Sequence, residues 1–179
     1  MDLIYSFDKT LLDFIVNTFK CDFLDFIMPI VTAIANGGLL YIILAVMLII
    51  FKKTRKYGLM LALALVFGLV FGNLILKNLI ARPRPFGLDC ELLIKAPQDY
   101  SFPSGHTMAS FEMATVMFCM NRKIGYFAIV VATIVAFSRL YLYVHYPTDV
   151  ICGAILGTVF GLCAIKLYNF LEKKITGKI

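Results

Sequence analysis

Two histidines occur in the 179 residues, His106 and His145, and each sits among groups suited to handling an anion. His106 closes the run Pro103-Ser104-Gly105-His106, while His145 follows Ser138-Arg139 and precedes Asp149. A third polar cluster begins at position 77, reads KNLIARPRP, and contributes Lys77 and Arg84. Lys77, Arg84 and Arg139 supply three cations, enough to neutralise a phosphoryl group and to stabilise charge building on its oxygens. Pro103-Ser104-Gly105 reads as a helix opening, whose free N–H groups and dipole attract an anion, and Gly105 lets the backbone come close to it. Pro147 fits the first turn of a later helix, which puts His145 just before that turn and Asp149 inside it. Asp149 can then accept a hydrogen bond from one ring nitrogen and leave the other nucleophilic. One histidine would attack while the other protonates the leaving oxygen. Taken singly, Lys77 could be a snorkelling cation, the Pro-Ser-Gly-His run a helix cap, and His145 with Asp149 a polar pair locking two helices. Arg139 inside an apolar run is harder to explain structurally, because intramembrane charge is costly. The three clusters together point to cleavage of a phosphate ester.

The elements that position these groups must lie in a bilayer. Hydrophobic residues make up 61% of the chain and charged residues 16%, against about 45–50% and about 25% in ordinary globular chains. Apolar stretches at 23–35, 39–51, 57–80, 103–120, 125–144 and 148–168 predict six transmembrane helices in an all-α bundle. Asn36-Gly37-Gly38 reads as the turn of a helical hairpin joining the first two. Residues 5–19 interleave apolar and charged side chains, a pattern for an amphipathic helix at the interface. Asp2, Asp8 and Asp13 are wrong for a cleavable signal. Basic clusters at Lys52, Lys53, Arg55 and Lys56, at Arg122 and Lys123, and at Lys173, Lys174 and Lys178 fall on one side of a six-span bundle. The positive-inside rule makes that side cytoplasmic, with both termini, and turns the three motifs outward at the plasma membrane. The whole chain, 1–179, reads as one membrane-embedded domain. The net charge of +6 is dispersed between apolar runs and not gathered on one face, which argues against nucleic acid. Of five cysteines, Cys21, Cys119, Cys152 and Cys163 read as packing residues; Cys90 stands in a polar loop without an obvious partner, and neither a disulfide nor a metal site is predicted.

Lys77-x6-Arg84-Pro85, Pro103-Ser104-Gly105-His106 and Ser138-Arg139-x5-His145-x3-Asp149 resemble the three signature motifs of the type 2 phosphatidic acid phosphatase superfamily. The resemblance implies that His145 becomes phosphorylated, that Asp149 orients it, and that His106 protonates the leaving group and then helps water attack. It implies phosphate binding by Lys77, Arg84, Ser104, Gly105 and Arg139, with no metal and no cofactor. Ser138 matches the motif, with no role expected beyond helix packing. The superfamily's haloperoxidases are soluble, so an embedded chain resembles the phosphatase branch.

A site at the outer ends of spanning helices suits an amphiphile whose tails stay in the bilayer. Undecaprenyl pyrophosphate, phosphatidylglycerol phosphate, phosphatidic acid and lipid A phosphates are the candidates, and the outward orientation gives the first a modest preference. The 86–102 loop, with Asp89, Glu91, Lys95 and Asp99 beside Leu92, Leu93 and Ile94, is long enough for a lid or substrate selector and equally for a plain surface loop. Two other readings stay open: a lipid phosphotransferase passing phosphate to an alcohol, and a transporter or flippase using His145 and Asp149 as a proton relay.

Overall fold

The computed structural model describes residues 2–86 and 92–177; Asp89, Cys90, Glu91 and Lys178 lie outside the described residues. Within them the chain is helical, and the boundaries have local causes. α1 (Asp2–Phe19) and α2 (Asp22–Ile34) are separated at Cys21, whose backbone is extended. α2 gives way at Asn36–Gly38, where Gly37 and Gly38 take φ of 62° and 72°, a left-handed conformation that glycine adopts without a Cβ penalty. α3 (Leu39–Ile50) follows. α4 (Arg55–Phe67) continues through a π-helical stretch, Gly68–Leu76, into α5 (Lys77–Ile80). α6 (Gly105–Met120) starts after extended Ser104. α7 (Arg122–Tyr141) is capped by the Asn121 side chain, which accepts from the Lys123 and Ile124 amides at 2.9 and 3.3 Å. α8 (Pro147–Thr176) opens on a proline that needs no amide partner.

α6 is the hub. It buries Thr107, Met108, Ser110, Glu112, Met113 and Val116 and packs against α7, α8 and α4. α8 comes close because it carries glycine at the contact: a Cβ on Gly157 would stand 2.2 Å from the Met108 carbonyl oxygen. Tyr41, Met60, Leu61, Val116 and Ala132 join α3, α4, α6 and α7 in one core cluster. Outward-facing Phe23, Phe26, Phe127 and Ile155 are more than half exposed, the surface a hydrocarbon solvent requires. Four stretches are long and apolar enough to cross a membrane: Asp22–Ile50, Arg55–Ile80, Arg122–Tyr141 and Pro147–Ile175. The protein is a multi-pass membrane protein.

One expectation needs correction. The stretches 23–35 and 39–51 do not form a packed hairpin, because α2 lies on α7 whereas α3 lies on α4. The start of α2 is held at the end of α7, where the Cys21 amide donates to the Tyr141 hydroxyl at 3.3 Å and that hydroxyl donates to Asp25 at 2.5 Å. α2 therefore begins at the motif face, the face carrying Lys77, Gly105 and Pro147, and α2–α3 make one bent passage. The first two predicted spans thus form one long apolar stretch, Asp22–Ile50, and α6, at 16 residues, is enclosed by its neighbours.

α1 is drawn onto the motif face by Asp8, which accepts from Arg82, from the Thr148 amide and from the Thr148 hydroxyl. It turns the Asp8 carboxylate inward, while Phe7 and Phe14 are exposed on its outer side. The basic residues at 52–56, 122–123 and 173–174 lie at the far face, where α3 gives way to α4, where α6 gives way to α7, and where α8 ends.

Candidate active site

The π-helical stretch widens the turn just before Lys77, at the mouth of a cavity of about 900 Å³. π-helical turns often sit at functional sites because they re-aim the residues that follow. Six of the predicted residues line that cavity: Lys77, Arg84, Gly105, His106, Arg139 and His145. They come from four separate segments, and helix packing brings them together.

His145 is carried by the turn between α7 and α8. The turn closes with the Leu142 and Val144 amides donating to the Ser138 and Arg139 carbonyls, and with Tyr143 at φ 57°. A left-handed non-glycine residue costs about 1–2 kcal/mol, and here it redirects the chain so that His145 returns to the cavity. His145 is 1% exposed. Its Nε2 lies 3.3 Å from Arg84 Nη1. A guanidinium can only donate, so Nε2 must be the nitrogen with the free lone pair. Burial, reinforced by Arg139 and Arg84, holds the imidazole down at about 3 despite Asp149, which keeps it neutral.

Asp149 stands behind the ring at 3.7 Å from Nδ1, an ion-pair distance and longer than a hydrogen bond. Its carboxylate is held by others. Oδ1 accepts from Arg82 at 2.7 Å; Oδ2 accepts from Ser101 at 2.5 Å and from the Tyr146 amide at 2.9 Å. Ser101 Oγ is also 3.5 Å from His145 Nδ1, so this hydroxyl sits between the two. Arg82 spans Asp8 and Asp149 and stacks 4.0 Å over the Tyr146 ring. Asp8, Ser101 and Asp149 are fully buried.

At the phosphate end, Asp99 already bridges two cations. Lys77 Nζ is 2.5 Å from one of its oxygens and Arg84 Nη2 is 2.6 Å from the other. Arg84 also donates to the Val144 carbonyl at 2.6 Å, which fixes its plane beside His145. Arg139, 2% exposed, donates to Thr32 through Nη1, while among the described residues neither its Nε nor His106 Nε2 has a partner. Ser104 departs from expectation: it is buried, its hydroxyl pairs with Thr107 at 2.9 Å, and it does not line the cavity. Gly105 does, and a Cβ there would stand 2.9 Å from Asn73 Oδ1. Arg82, Asp8, Ser101, Asp99 and Asn73 were given no role at the site from the sequence. A carboxylate in an apolar helix and a second arginine in Arg-Pro-Arg were the available signals.

Residues 53–173, about two thirds of the chain, match the PAP2 superfamily. The chain belongs to the PAP2 superfamily. An undecaprenyl-diphosphatase of Sulfolobus acidocaldarius is 36% identical over 124 residues, 68% of this chain and 60% of that protein. The undecaprenyl-diphosphatase BcrC of Bacillus subtilis is 31% identical over 150 residues, 83% of this chain and 77% of that protein. Among solved structures, a PAP2 type phosphatidylglycerolphosphate phosphatase from Bacillus subtilis superposes with a TM-score of 0.77 at 25% identity, covering 98% of this chain and 89% of that one. The PAP2 match starts at residue 53, so Asp8 and α1 lie outside it.

Proposed function

We propose that this PAP2 protein is an integral-membrane lipid phosphatase that removes phosphate, as a monoester or a diphosphate, through a phosphohistidine on His145. The supporting observation is the convergence of an unprotonated His145 Nε2 with Lys77, Arg84 and Arg139 on one cavity that continues into apolar helix surfaces. Nε2 attacks phosphorus and the bond to the lipid oxygen breaks, while His106 delivers a proton to that oxygen. Water then attacks the phosphohistidine with His106 accepting its proton, and inorganic phosphate leaves. Lys77, Arg84 and Arg139 carry the charge on the non-bridging oxygens, so electrostatics do the work a metal would otherwise do. Gly105 brings the start of α6 near the same oxygens. Asp149, fixed by Arg82 and Ser101, is a positioning residue for the ring.

A lipid substrate follows from the cavity's apolar continuation and from the names of the relatives, which cover polyprenyl diphosphates and glycerophospholipids. The basic clusters at the far face support a site that opens outward from the cytoplasmic membrane. The test is phosphate release in detergent with EDTA, run on undecaprenyl diphosphate, phosphatidylglycerol phosphate and phosphatidic acid. Wild type should release phosphate, and acid-labile labelled protein should accumulate after a rapid quench. His145→Ala should lose at least about a thousandfold in rate and all label. Label that persists in His145→Ala sinks the assignment; transfer of label to an added alcohol in place of water favours a phosphotransferase.

A further inference from the structure

We infer that Glu112 is a subsite for the glycerol-ester backbone of the lipid, which makes ester-linked glycerophospholipids a preferred substrate class. This rests on the lipid-phosphatase reading above and names which lipid the groove fits.

The cavity descends from the phosphate end along α6, between α3 and α4 with its π-helical continuation. Its deeper wall is hydrocarbon, with Ile42, Val46, Ile49, Leu65 and Leu69. Among the described residues lining the cavity, Glu112 is the ionisable one away from the end that carries Lys77, Arg84 and His145. It is 1% exposed, and its Oε1 has no hydrogen-bond partner among the described residues. Nor does any described salt bridge include it. A buried carboxyl without a polar partner is unfavourable and calls for one from a ligand. The carboxyl lies directly against Gly68 of the π-helical stretch, where a Cβ would stand 2.2 Å from Oε1 and push the flexible side chain aside.

Depth identifies the partner. Glu112 follows His106 by six residues on one helix, which puts its Cα about 9 Å below the catalytic level. Helical side chains tilt towards the N-terminus, and this brings the carboxyl back up towards the phosphate. A glycerophospholipid with phosphorus at His145 Nε2 places its ester carbonyls there, a few bonds below phosphorus. A protonated carboxyl donates to such a carbonyl. A polyprenyl chain offers only hydrocarbon at that level, and a dialkyl ether lipid has ether oxygens, poor acceptors, with no carbonyl.

The experiment compares dioleoyl phosphatidic acid with its dialkyl ether analogue in mixed micelles, reading kcat/KM for each. Headgroup and chains are matched, and only the carbonyls differ. Wild type should favour the ester by about tenfold, mostly in KM, the value of one hydrogen bond to a buried partner. Glu112→Leu should bring the ester-to-ether ratio close to one. Glu112→Gln, whose amide can still donate, should keep most of the preference. A wild-type ratio of one, or a ratio that Glu112→Leu leaves intact while both rates fall, overturns the inference and makes Glu112 a packing residue. Wild type that hydrolyses neither lipid nor undecaprenyl diphosphate brings down the phosphatase reading along with it.

Discussion

Asp99 holds the position of an anion between Lys77 and Arg84. Its partial burial opposes ionisation, but the two cations outweigh that and hold the carboxyl down at about 2. A carboxyl depressed in the folded state stabilises above its ordinary value of 3.8 and loses that contribution only as pH falls towards about 2. At neutral pH the bridge is therefore intact, and an incoming phosphate competes with it. Asp99→Asn should strengthen product inhibition by inorganic phosphate about tenfold, measured as a lower Ki. An unchanged Ki would mean that Asp99 does not compete for the anion site. His145 gives a second expectation at this scale. With its imidazole held near 3, the ring stays unprotonated from about pH 8 down to about pH 5, so its titration adds no acidic limb to kcat/KM there. A limb near the ordinary histidine value of 6.5 that shifts in Asp149→Asn would contradict this.

At the scale of elements, the carboxylate behind His145 depends on a helix far from the motifs in sequence. Arg82 holds Asp8 of α1 and Asp149 of α8 at once. Arg82→Leu leaves two buried carboxylates uncompensated, a loss of about 3–5 kcal/mol. It should lower the unfolding temperature in detergent and reduce kcat at least about tenfold with little change in KM, since Asp149 acts through His145. Asp8→Asn combined with Arg82→Gln should recover stability better than activity. Helix packing gives a separate expectation. Gly157→Ala forces a Cβ to within 2.2 Å of a backbone oxygen on α6, which should cost about 1–3 kcal/mol in thermal or denaturant unfolding. The motifs were legible because chemistry fixes their residue types: Lys77, Arg84, Gly105, His106, Arg139 and His145 reach one cavity, with Asp149 behind it. The Gly37-Gly38 turn was legible too, since left-handed backbone needs glycine. Whether its arms fold back or bend onward was not, because that depends on α2 finding α7 and α3 finding α4. Hydropathy does not encode those choices, and the contact of Asp8 with the start of α8 was hidden for the same reason.

For the whole molecule, α1 is docked on the motif face while the α3–α4 turn lies at the far face. Lys9 on α1 and Lys53 between α3 and α4 are both exposed, at opposite faces of the bundle. In a cysteine-free background, Lys9→Cys and Lys53→Cys should react with an impermeant thiol reagent from opposite sides of sealed vesicles. Labelling of both from one side would contradict the docking of α1 at the motif face. The docking of α1 also bears on how the protein is made. Asp8 and Thr148 are bonded although they stand 140 positions apart, so the first helix has no partner until the last passage emerges beside it. The Arg82–Asp149 ion pair likewise joins a residue before α6 to one in α8, so it forms only once the last helix has packed.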